Sequence, residues 1–146
     1  LVVSTFDALN HLADEQALQN CFRCVFHSLE DEGLFLFDLN TRLGLRRWNS
    51  INVDESSPDS LVVTRGIFDE SGGRAWTKIT GFLRAGDGRY SRSDLVAYNT
   101  VFDLPRVRTF LLEAGWRDVH LAAVQDLATP LAEPESQGRV FFVARK

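Results

Sequence analysis

The sequence predicts an α/β fold, in which helices pack on a mixed sheet and a smaller antiparallel sheet is inserted in the chain. Residues 1–40 contain an apolar start, an amphipathic segment and a second apolar run, which is the order of a β-α-β unit with parallel strands. After residue 100, another amphipathic segment precedes two strand-like runs joined by a polar loop, and this order favours an antiparallel pair. Three strand-like runs lie between these two parts.

Hydrophobic spacing indicates each element of the first unit. Leu1–Val3 is a short apolar run, typical of the end of a buried strand. Asp14 is a suitable N-cap, and Gly33 suits the left-handed position after a helix. LFLFDLN, at 34–40, starts with four consecutive apolar residues, as expected for a strand covered on both faces. Between Asp14 and Gly33 the apolar residues follow helical spacing: Leu18, Cys21, Phe22, Val25, Phe26 and Leu29.

Turn-forming sequences divide the middle of the chain. A short helix is predicted over Thr41–Trp48, and a polar loop containing Ser-Ser-Pro over Asn49–Asp59. The sequences DESGG and AGDG are typical of hairpin turns. They separate strand-like runs at 61–68, 74–84 and 89–98. We therefore expect an antiparallel meander inserted at 61–98 within a single domain that spans 1–146.

The last third of the chain predicts a helix followed by two strands. The segment DLPRVRTFLLEAG begins with Asp103 as a candidate N-cap and has Pro105 in the first turn, where proline is tolerated. Gly115 is placed to stop this helix. WRDVHLAAV and RVFFVAR are the two strand-like runs, and a polar, proline-containing loop at 129–138 joins them.

Composition excludes several classes of function. The chain is 45% hydrophobic and 25% charged with a net charge of −4, a balance typical of ordinary globular domains. Nucleic acids and anionic membranes require a concentrated positive field, and no apolar run approaches the roughly 20 residues of a membrane span. Neither kind of partner is therefore expected. Two cysteines do not make a disulfide framework, so the expected compartment is the cytoplasm.

Cys21, Cys24 and His27 have a spacing found in metal sites, but all three lie on one predicted helix. A closed zinc site needs four ligands, and the sequence has no second ligand pair. Cys21 also belongs to the apolar stripe, where free cysteine behaves as a small hydrophobe. We therefore expect no metal site.

Several segments together resemble the second half of class I S-adenosylmethionine-dependent methyltransferases. These are VSTFDALNHL, a helix ending in SLEDEG, GLFLFDLNT, then YSRSDLVAYNTVFDLPRVRTFLLEAGWRDV and the closing GRVFFVARK. The resemblance covers essentially the whole chain. It implies a partial Rossmann-like sheet, S-adenosylmethionine as cofactor of the complete protein, and methyl transfer to a small-molecule or side-chain nucleophile.

The family's glycine-rich loop and ribose-binding acidic residue would precede Leu1. The chain also contains no methionine. We therefore expect an N-terminally truncated, C-terminal portion of a methyltransferase domain that is inactive in isolation.

The resemblance makes Leu1–Val3 the fourth strand of a seven-stranded sheet. Ligands of open α/β sheets bind outside the carboxyl ends of strands, so the turn after this strand would form one wall of the cofactor crevice. In the structural alternative, Phe6 packs and Asp7 caps the turn. The residues implied to bind the cofactor are Ser4, Thr5, Phe6, Asp7 and Asn10.

His11 follows this turn and is the candidate catalytic residue. Its reference pKa near neutrality suits a general base that removes a proton from the methyl acceptor. The alternative is a partly buried histidine whose ring donates a hydrogen bond to a carbonyl group. Methyl transfer needs little acid–base help when the reacting atoms are aligned.

The candidate substrate-binding residues are polar and aromatic. Asp38 and Asn40 end the second strand, where they either line the substrate mouth or cap the next helix. The other candidates lie near the mouth or in the meander, where cross-strand packing is the alternative role: Trp48, Tyr90, Arg92 and Tyr98.

Three further possibilities remain open. Arg42, Arg46 and Arg47 form a basic cluster near Trp48, which is either a solvated helix face or a site for an acidic substrate. The chain could also be a non-enzymatic relic or interaction module that self-associates through the exposed edge of its N-terminal strand. A nucleotide-dependent oxidoreductase is the third possibility, and the antiparallel closing pair argues against it.

Overall fold

The computed structural model describes residues 1–146 and contains eight strands and three α-helices, arranged around two four-stranded sheets. Short 3-10 turns occur at Ala8–His11 and Pro134–Ser136. No helix has the length and apolar character needed to cross a membrane. The elements are β1 (Val2–Ser4), α1 (Glu15–Ser28), β2 (Leu34–Asn40), α2 (Arg42–Arg46), β3 (Ile51–Ser57), β4 (Ser60–Asp69), β5 (Arg74–Arg84), β6 (Tyr90–Thr100), α3 (Leu104–Glu113), β7 (Arg117–Ala122) and β8 (Arg139–Arg145).

The main sheet has the strand order β1-β2-β8-β7. β1 and β2 are parallel, and β8 is antiparallel to both β2 and β7, which confirms the predicted β-α-β unit and antiparallel closing pair. Asn40, the last residue of β2, is opposite Arg139, the first residue of β8. The carboxyl ends of β1 and β2 and the start of β8 therefore share one edge, which we call the carboxyl edge.

The hydrophobic core lies between the main sheet and the helices α1 and α3. Leu18 and Phe22 of the predicted stripe are fully buried. The Phe37 and Phe142 rings stack across β2 and β8 with centroids 4.9 Å apart. Trp116 donates a 3.3 Å hydrogen bond from its indole nitrogen to the Phe22 carbonyl. This packing holds β2 and β8 rigidly behind the carboxyl edge.

The predicted helix caps are confirmed, with one correction. The side chains of Asp14 and Asp103 accept hydrogen bonds from the backbone of α1 and α3, respectively. Gly115 has a φ of 101°, as its place after α3 requires. At the end of α1, however, the left-handed residue is Glu32 with a φ of 63°, not Gly33. Gly33 is constrained by space instead, because a β-carbon there would lie 2.7 Å from the Glu30 carbonyl oxygen.

The second sheet is a four-stranded meander of order β3-β4-β5-β6. The prediction of a loop over Asn49–Asp59 is wrong, because Ile51–Ser57 forms the edge strand β3. Every residue of β3 is exposed, so this strand has no buried face that would leave an alternating hydrophobic pattern. Backbone hydrogen bonds to β4 hold it. The meander thus covers 51–100 rather than 61–98.

A small apolar cluster joins the meander to the main sheet. Leu45 of α2 packs with Phe68 and Ala75, and the partly buried Trp48 packs against this cluster. Gly66 lies directly against the Trp48 carbonyl, so a side chain there would collide with the backbone. These contacts position α2 and the end of β6 at the carboxyl edge.

Candidate functional site

The turn after β1 has an unusual backbone conformation. Phe6 and Asp7 are consecutive non-glycine residues with φ values of 60° and 52°, both in the left-handed region. Such a conformation costs about 1–3 kcal/mol per residue and persists where the surrounding structure enforces it. The Phe6 side chain is 81% exposed, and Asp7 makes no side-chain hydrogen bond that caps the following 3-10 turn. Asp7 therefore does not cap the turn, and the exposed Phe6 ring lies outside the core, with the Arg139 guanidinium 6.0 Å from its centroid.

Asp7 connects the turn to three other elements. Its Oδ2 accepts a 2.9 Å hydrogen bond from Asn99 Nδ2, and its Oδ1 accepts a 3.0 Å hydrogen bond from Arg139 Nη2. The Asp7 backbone N–H donates to Asp38 Oδ1 at 3.1 Å. The side chain is only 14% exposed. These contacts enforce the strained conformation and leave the Phe6 ring facing outward.

Arg139 lies between two carboxylates. Its Nη1 is 2.8 Å from Asp38 Oδ2, while Nη2 bonds to Asp7. Burial raises the pKa of Asp38 above its ordinary value; the Asp7 N–H and the Arg139 charge partly offset this, whereas the Asp7 charge adds to it. A rise in the pKa of a fully buried carboxyl shows that removal from water outweighs the stabilising contacts.

The raised pKa of Asp38 has a consequence for stability that can be measured. An acid with a higher pKa in the folded state loses stability as pH rises from its unfolded pKa through its folded pKa. We expect Asp38→Asn to remove this loss. The free energy of unfolding of Asp38→Asn minus that of wild type should therefore be larger at pH 7.5 than at pH 4.5, measured by urea denaturation. A difference that shrinks with rising pH would contradict the assignment.

Asn10 has an internal position. It is fully buried, and its Oδ1 accepts a 2.9 Å hydrogen bond from the Asn40 backbone N–H. Its Nδ2 donates to the Thr100 carbonyl, also at 2.9 Å. Both ends of the amide therefore tie the turn to β2 and β6, so Asn10 acts on the carboxyl edge by positioning backbone.

His11 is exposed, and its Nδ1 lies 2.7 Å from the Tyr98 carbonyl oxygen. Because a carbonyl oxygen only accepts, Nδ1 carries the hydrogen, and Nε2 holds the free lone pair of the neutral ring. The contact predicted as the alternative role is thus present, and it leaves Nε2 free to accept a proton. His11, Arg74, Tyr98, Asn99 and Thr100 line a cleft of about 320 Å³, which we call the His11 cleft.

A second cleft, which we call the Asn40 cleft, lies at the same edge and has a volume of about 440 Å³. α2, the segment after β7 and the segment before β8 form its walls. Asp7 lies between the two clefts, since it bonds to Asn99 in one and Arg139 in the other. The residues that line the Asn40 cleft are Asn40, Gly44, Arg47, Trp48, Ala123, Val124, Gln125, Gln137, Gly138, Arg139 and Phe141.

The predicted substrate residues occupy different places. Asn40 and Trp48 line the Asn40 cleft, and Tyr98 lines the His11 cleft. Asp38 is buried beneath Arg139. Neither Asp38 nor Asn40 caps α2, because the cap is Thr41, whose Oγ1 accepts a hydrogen bond from the Gly44 N–H at 3.2 Å.

Tyr90 and Arg92 lie at the opposite end of β6 from Tyr98. A strand rises about 3.3 Å per residue, which puts Tyr90 roughly 25 Å from Tyr98. Arg92 forms an exposed ion pair with Asp94 at 2.8 Å. Tyr90 borders a separate hollow of about 580 Å³ around Pro58. The fold does not bring this pair to the carboxyl edge.

Arg139 and Asn99 are central to the site but were not among the candidates from sequence. Arg139 is charged and starts a strand, which is an ordinary position for a solvated residue. Its role arises from the register that puts it opposite Asn40. Asn99 directly follows the predicted run 89–98, and only the structure shows that it is buried, so no sequence signal marked it.

Comparison with known proteins gives one curated relative and a set of solved structures, whereas no family model matches the chain. The relative, from Geobacillus sp. (strain WCH70), bears the name "Putative methyltransferase GWCH70_2453" and is 27% identical over 152 residues. The match covers 96% of this chain and 56% of the relative. This chain thus spans about half the length of the curated relative it matches.

The solved structures cover nearly the whole chain. An S-adenosylmethionine-dependent methyltransferase from Clostridium acetobutylicum has a TM-score of 0.76 at 16% identity, covering 98% of this chain and 56% of its own. The sugar N-methyltransferase KedS8 from Streptoalloteichus sp. has a TM-score of 0.71 at 18% identity, with coverage of 99% and 55%. The predicted Rossmann-like α/β fold is confirmed. The chain therefore has the fold of the S-adenosylmethionine-dependent methyltransferases and resembles their class I members.

Proposed function

We propose that this chain forms one side of the crevice of an enzyme that moves a methyl group from S-adenosylmethionine to a small-molecule nucleophile. The observation that carries the proposal is the strained, outward-facing turn over Thr5–Asp7 at the carboxyl end of β1. Open α/β sheets bind their ligands outside this end of the strands. A strained backbone enforced by specific contacts is characteristic of functional sites.

The residues of the turn fit one wall of a cofactor crevice. The exposed Phe6 ring offers an apolar surface, while Ser4 and Thr5 offer hydroxyl groups at the strand end. Asp7 holds the turn through Asn99 and Arg139. When bound, S-adenosylmethionine supplies a methyl group activated by the positively charged sulfur. Asn10 supports the wall from behind through its bonds to β2 and β6.

His11 is the proposed proton acceptor for the methyl acceptor's N–H or O–H group. The Tyr98 carbonyl fixes the ring so that Nε2 carries the lone pair. The His11 cleft leaves room for a nucleophile beside this nitrogen. Tyr98, Asn40, Trp48 and the buried Asp38 belong to the substrate side of this proposal. Tyr90 and Arg92 would contact only a substrate that extends along β6.

The proposal is tested by titrating S-adenosylhomocysteine into the complete product of the gene by calorimetry. Phe6→Gly should weaken binding at least about tenfold, which is about 1.4 kcal/mol, because it removes the apolar surface. Glu32→Gly is the matched control, since Glu32 has a similar φ of 63° away from the carboxyl edge. Relief of left-handed strain stabilises both variants by about 1 kcal/mol, and the loss of contacts to Arg139 in Phe6→Gly and to Arg117 and Arg145 in Glu32→Gly offsets part of this gain.

Two results would contradict the proposal. A complete product that neither binds S-adenosylhomocysteine nor transfers a methyl group would exclude the function. Unchanged affinity in Phe6→Gly would place the cofactor away from this turn.

A second candidate function rests on the unpaired outer side of β1. This strand is at the edge of the main sheet, and Leu1 and Val3 are largely exposed. Exposed edges of this kind pair readily with other strands. We propose self-association through β1 as the alternative, and sedimentation of Val3→Lys against wild type tests it. A monomeric wild-type chain would exclude this alternative.

A further inference from the structure

We propose that the Asn40 cleft binds an anionic group, a carboxylate or a phosphate, of the molecule that accepts the methyl group. This inference rests on the proposed function, because it specifies the substrate of the same site. The cleft opens at the carboxyl edge next to the turn over Thr5–Asp7, to which Arg139 connects it. Its volume of about 440 Å³ lies within the range of small-molecule sites.

The charge of the lining is positive. Two arginines line the Asn40 cleft, and no aspartate or glutamate does. Arg139 already forms ion pairs with Asp7 and Asp38. The Arg47 guanidinium, by contrast, makes no hydrogen bond and no ion pair, unlike the preceding Arg46, the last residue of α2, which pairs with Glu70. Arg47 is therefore the cation available to a ligand, and its planar fork matches a carboxylate or phosphate.

A buried donor without a partner lies in the same wall. Asn40 is only 3% exposed, and its Nδ2 has no hydrogen-bond acceptor. The backbone of Asn40 is held in place by Asn10. An unsatisfied buried donor costs about 1–3 kcal/mol, a cost that an oxygen-rich ligand would remove. This donor is independent of Arg47, and both belong to residues that line the same cleft.

The remaining wall suits a small organic molecule. Trp48 presents a partly buried ring, and Gln125 offers a second amide. Arg47 also approaches the loop before β8, with Nη1 about 3.7 Å from the place a β-carbon on Gly138 would take. A ligand anion at Arg47 would lie in the cleft that Arg139 also lines. A molecule held there by its anionic end could extend past Arg139 toward the turn.

The test uses the complete product of the gene and two simple probes, inorganic phosphate and acetate, at constant ionic strength. Nuclear magnetic resonance follows the side-chain amide signals of Asn40 and the Nε–H signal of Arg47 during each titration. We expect both residues to shift, and Arg47→Gln to weaken binding at least tenfold. Arg42→Gln is the matched control, because it removes the same charge from α2, which directly precedes Arg47, but lies outside the cleft. Tighter phosphate binding would indicate a phosphate ester as acceptor, and tighter acetate binding a carboxylate.

No shift at Asn40 and Arg47 with either anion would overturn the inference, as would an equal loss of affinity in Arg42→Gln and Arg47→Gln. Neither result bears on the proposed function, which S-adenosylhomocysteine binding tests separately. Wild-type-like amide spectra of both variants show that each is folded, so that a change in affinity reports on the site.

Discussion

Replacing Arg139 by glutamine should lower the free energy of unfolding by about 2–3 kcal/mol at pH 8. Removing one partner of a buried ion pair typically costs about 3–5 kcal/mol, because the charge of the other partner stays buried. The Asp38 side chain is completely buried, whereas that of Arg139 is 34% exposed, so water compensates part of the loss. The variant also deprives Asp7 of one hydrogen bond.

The loss of unfolding free energy in Arg139→Gln should depend on pH. The Arg139 charge lowers the pKa of Asp38, although burial raises it more. Without Arg139 the folded-state pKa of Asp38 rises further, so the variant loses stability as pH rises through that value. Urea denaturation should therefore show a smaller effect of Arg139→Gln at pH 5 than at pH 8.

Two further variants make this prediction decisive. Arg92→Gln removes an arginine from an exposed ion pair and should change stability by less than about 1 kcal/mol. Asp38→Asn combined with Arg139→Gln should recover part of the loss, because no charge stays buried at Asp38. Equal losses of unfolding free energy in Arg139→Gln and Arg92→Gln would show that Arg139 does not stabilise the buried carboxylates of Asp7 and Asp38.

Replacing Gly44 by alanine should lower the free energy of unfolding by about 2–3 kcal/mol, the upper part of the range for overpacked sites. Alanine is the better helix former by about 1 kcal/mol, so local propensity alone predicts the opposite sign. In the tertiary structure, a steric collision outweighs this gain in helix propensity. A β-carbon at Gly44 would collide with the Gly138 carbonyl group, which is backbone.

The collision would act on the loop that carries Arg139. Thr41 bonds to this loop through its N–H to the Gly138 carbonyl at 3.2 Å and through its hydroxyl to the Gln137 carbonyl. Moving α2 away would break these bonds and widen the Asn40 cleft.

Gly86→Ala is the matched control for this variant. Gly86 has open space around its β-carbon position and no positive φ, so its substitution should be nearly neutral. Thermal and urea denaturation of the two variants provide the comparison. A stable Gly44→Ala protein would mean that α2 and the loop at Gly138 separate easily.

Much of the fold could be predicted because its elements bury one face. The helical stripe of α1 and the apolar run of β2 reflect burial against the core, and side chains of Asp14 and Asp103 cap their own helices. The exposed edge strand β3 has no such signature, because its partner is the backbone of β4. The left-handed Glu32 was missed for a related reason: the neighbouring Gly33 is needed for space, not for its φ.

The candidate site divides in the same way. The turn over Ser4–Asp7, His11 and Asn40 could be found from sequence, since strand ends and family resemblance mark them. Arg139 and Asn99 could not, because they join the site from β8 and β6, far along the chain from Asp7. Tyr90 and Tyr98 looked equivalent in sequence, yet the length of one strand separates them.

By itself, the sequence determined the α/β class, the order of most elements and the likeness to class I methyltransferases. The class and the element order depend on periodicity and local capping, which act over a few residues, and the likeness depends on the resemblance of whole segments to that family. Only the tertiary structure decided that Arg139 lies between Asp7 and Asp38, that Asn40 has a buried donor without a partner and lines a cleft with two arginines, and that Gly44 allows α2 to pack directly against the Gly138 backbone. Each of these depends on the register and approach of distant backbone segments, and burial then sets the strength of the charges that meet there.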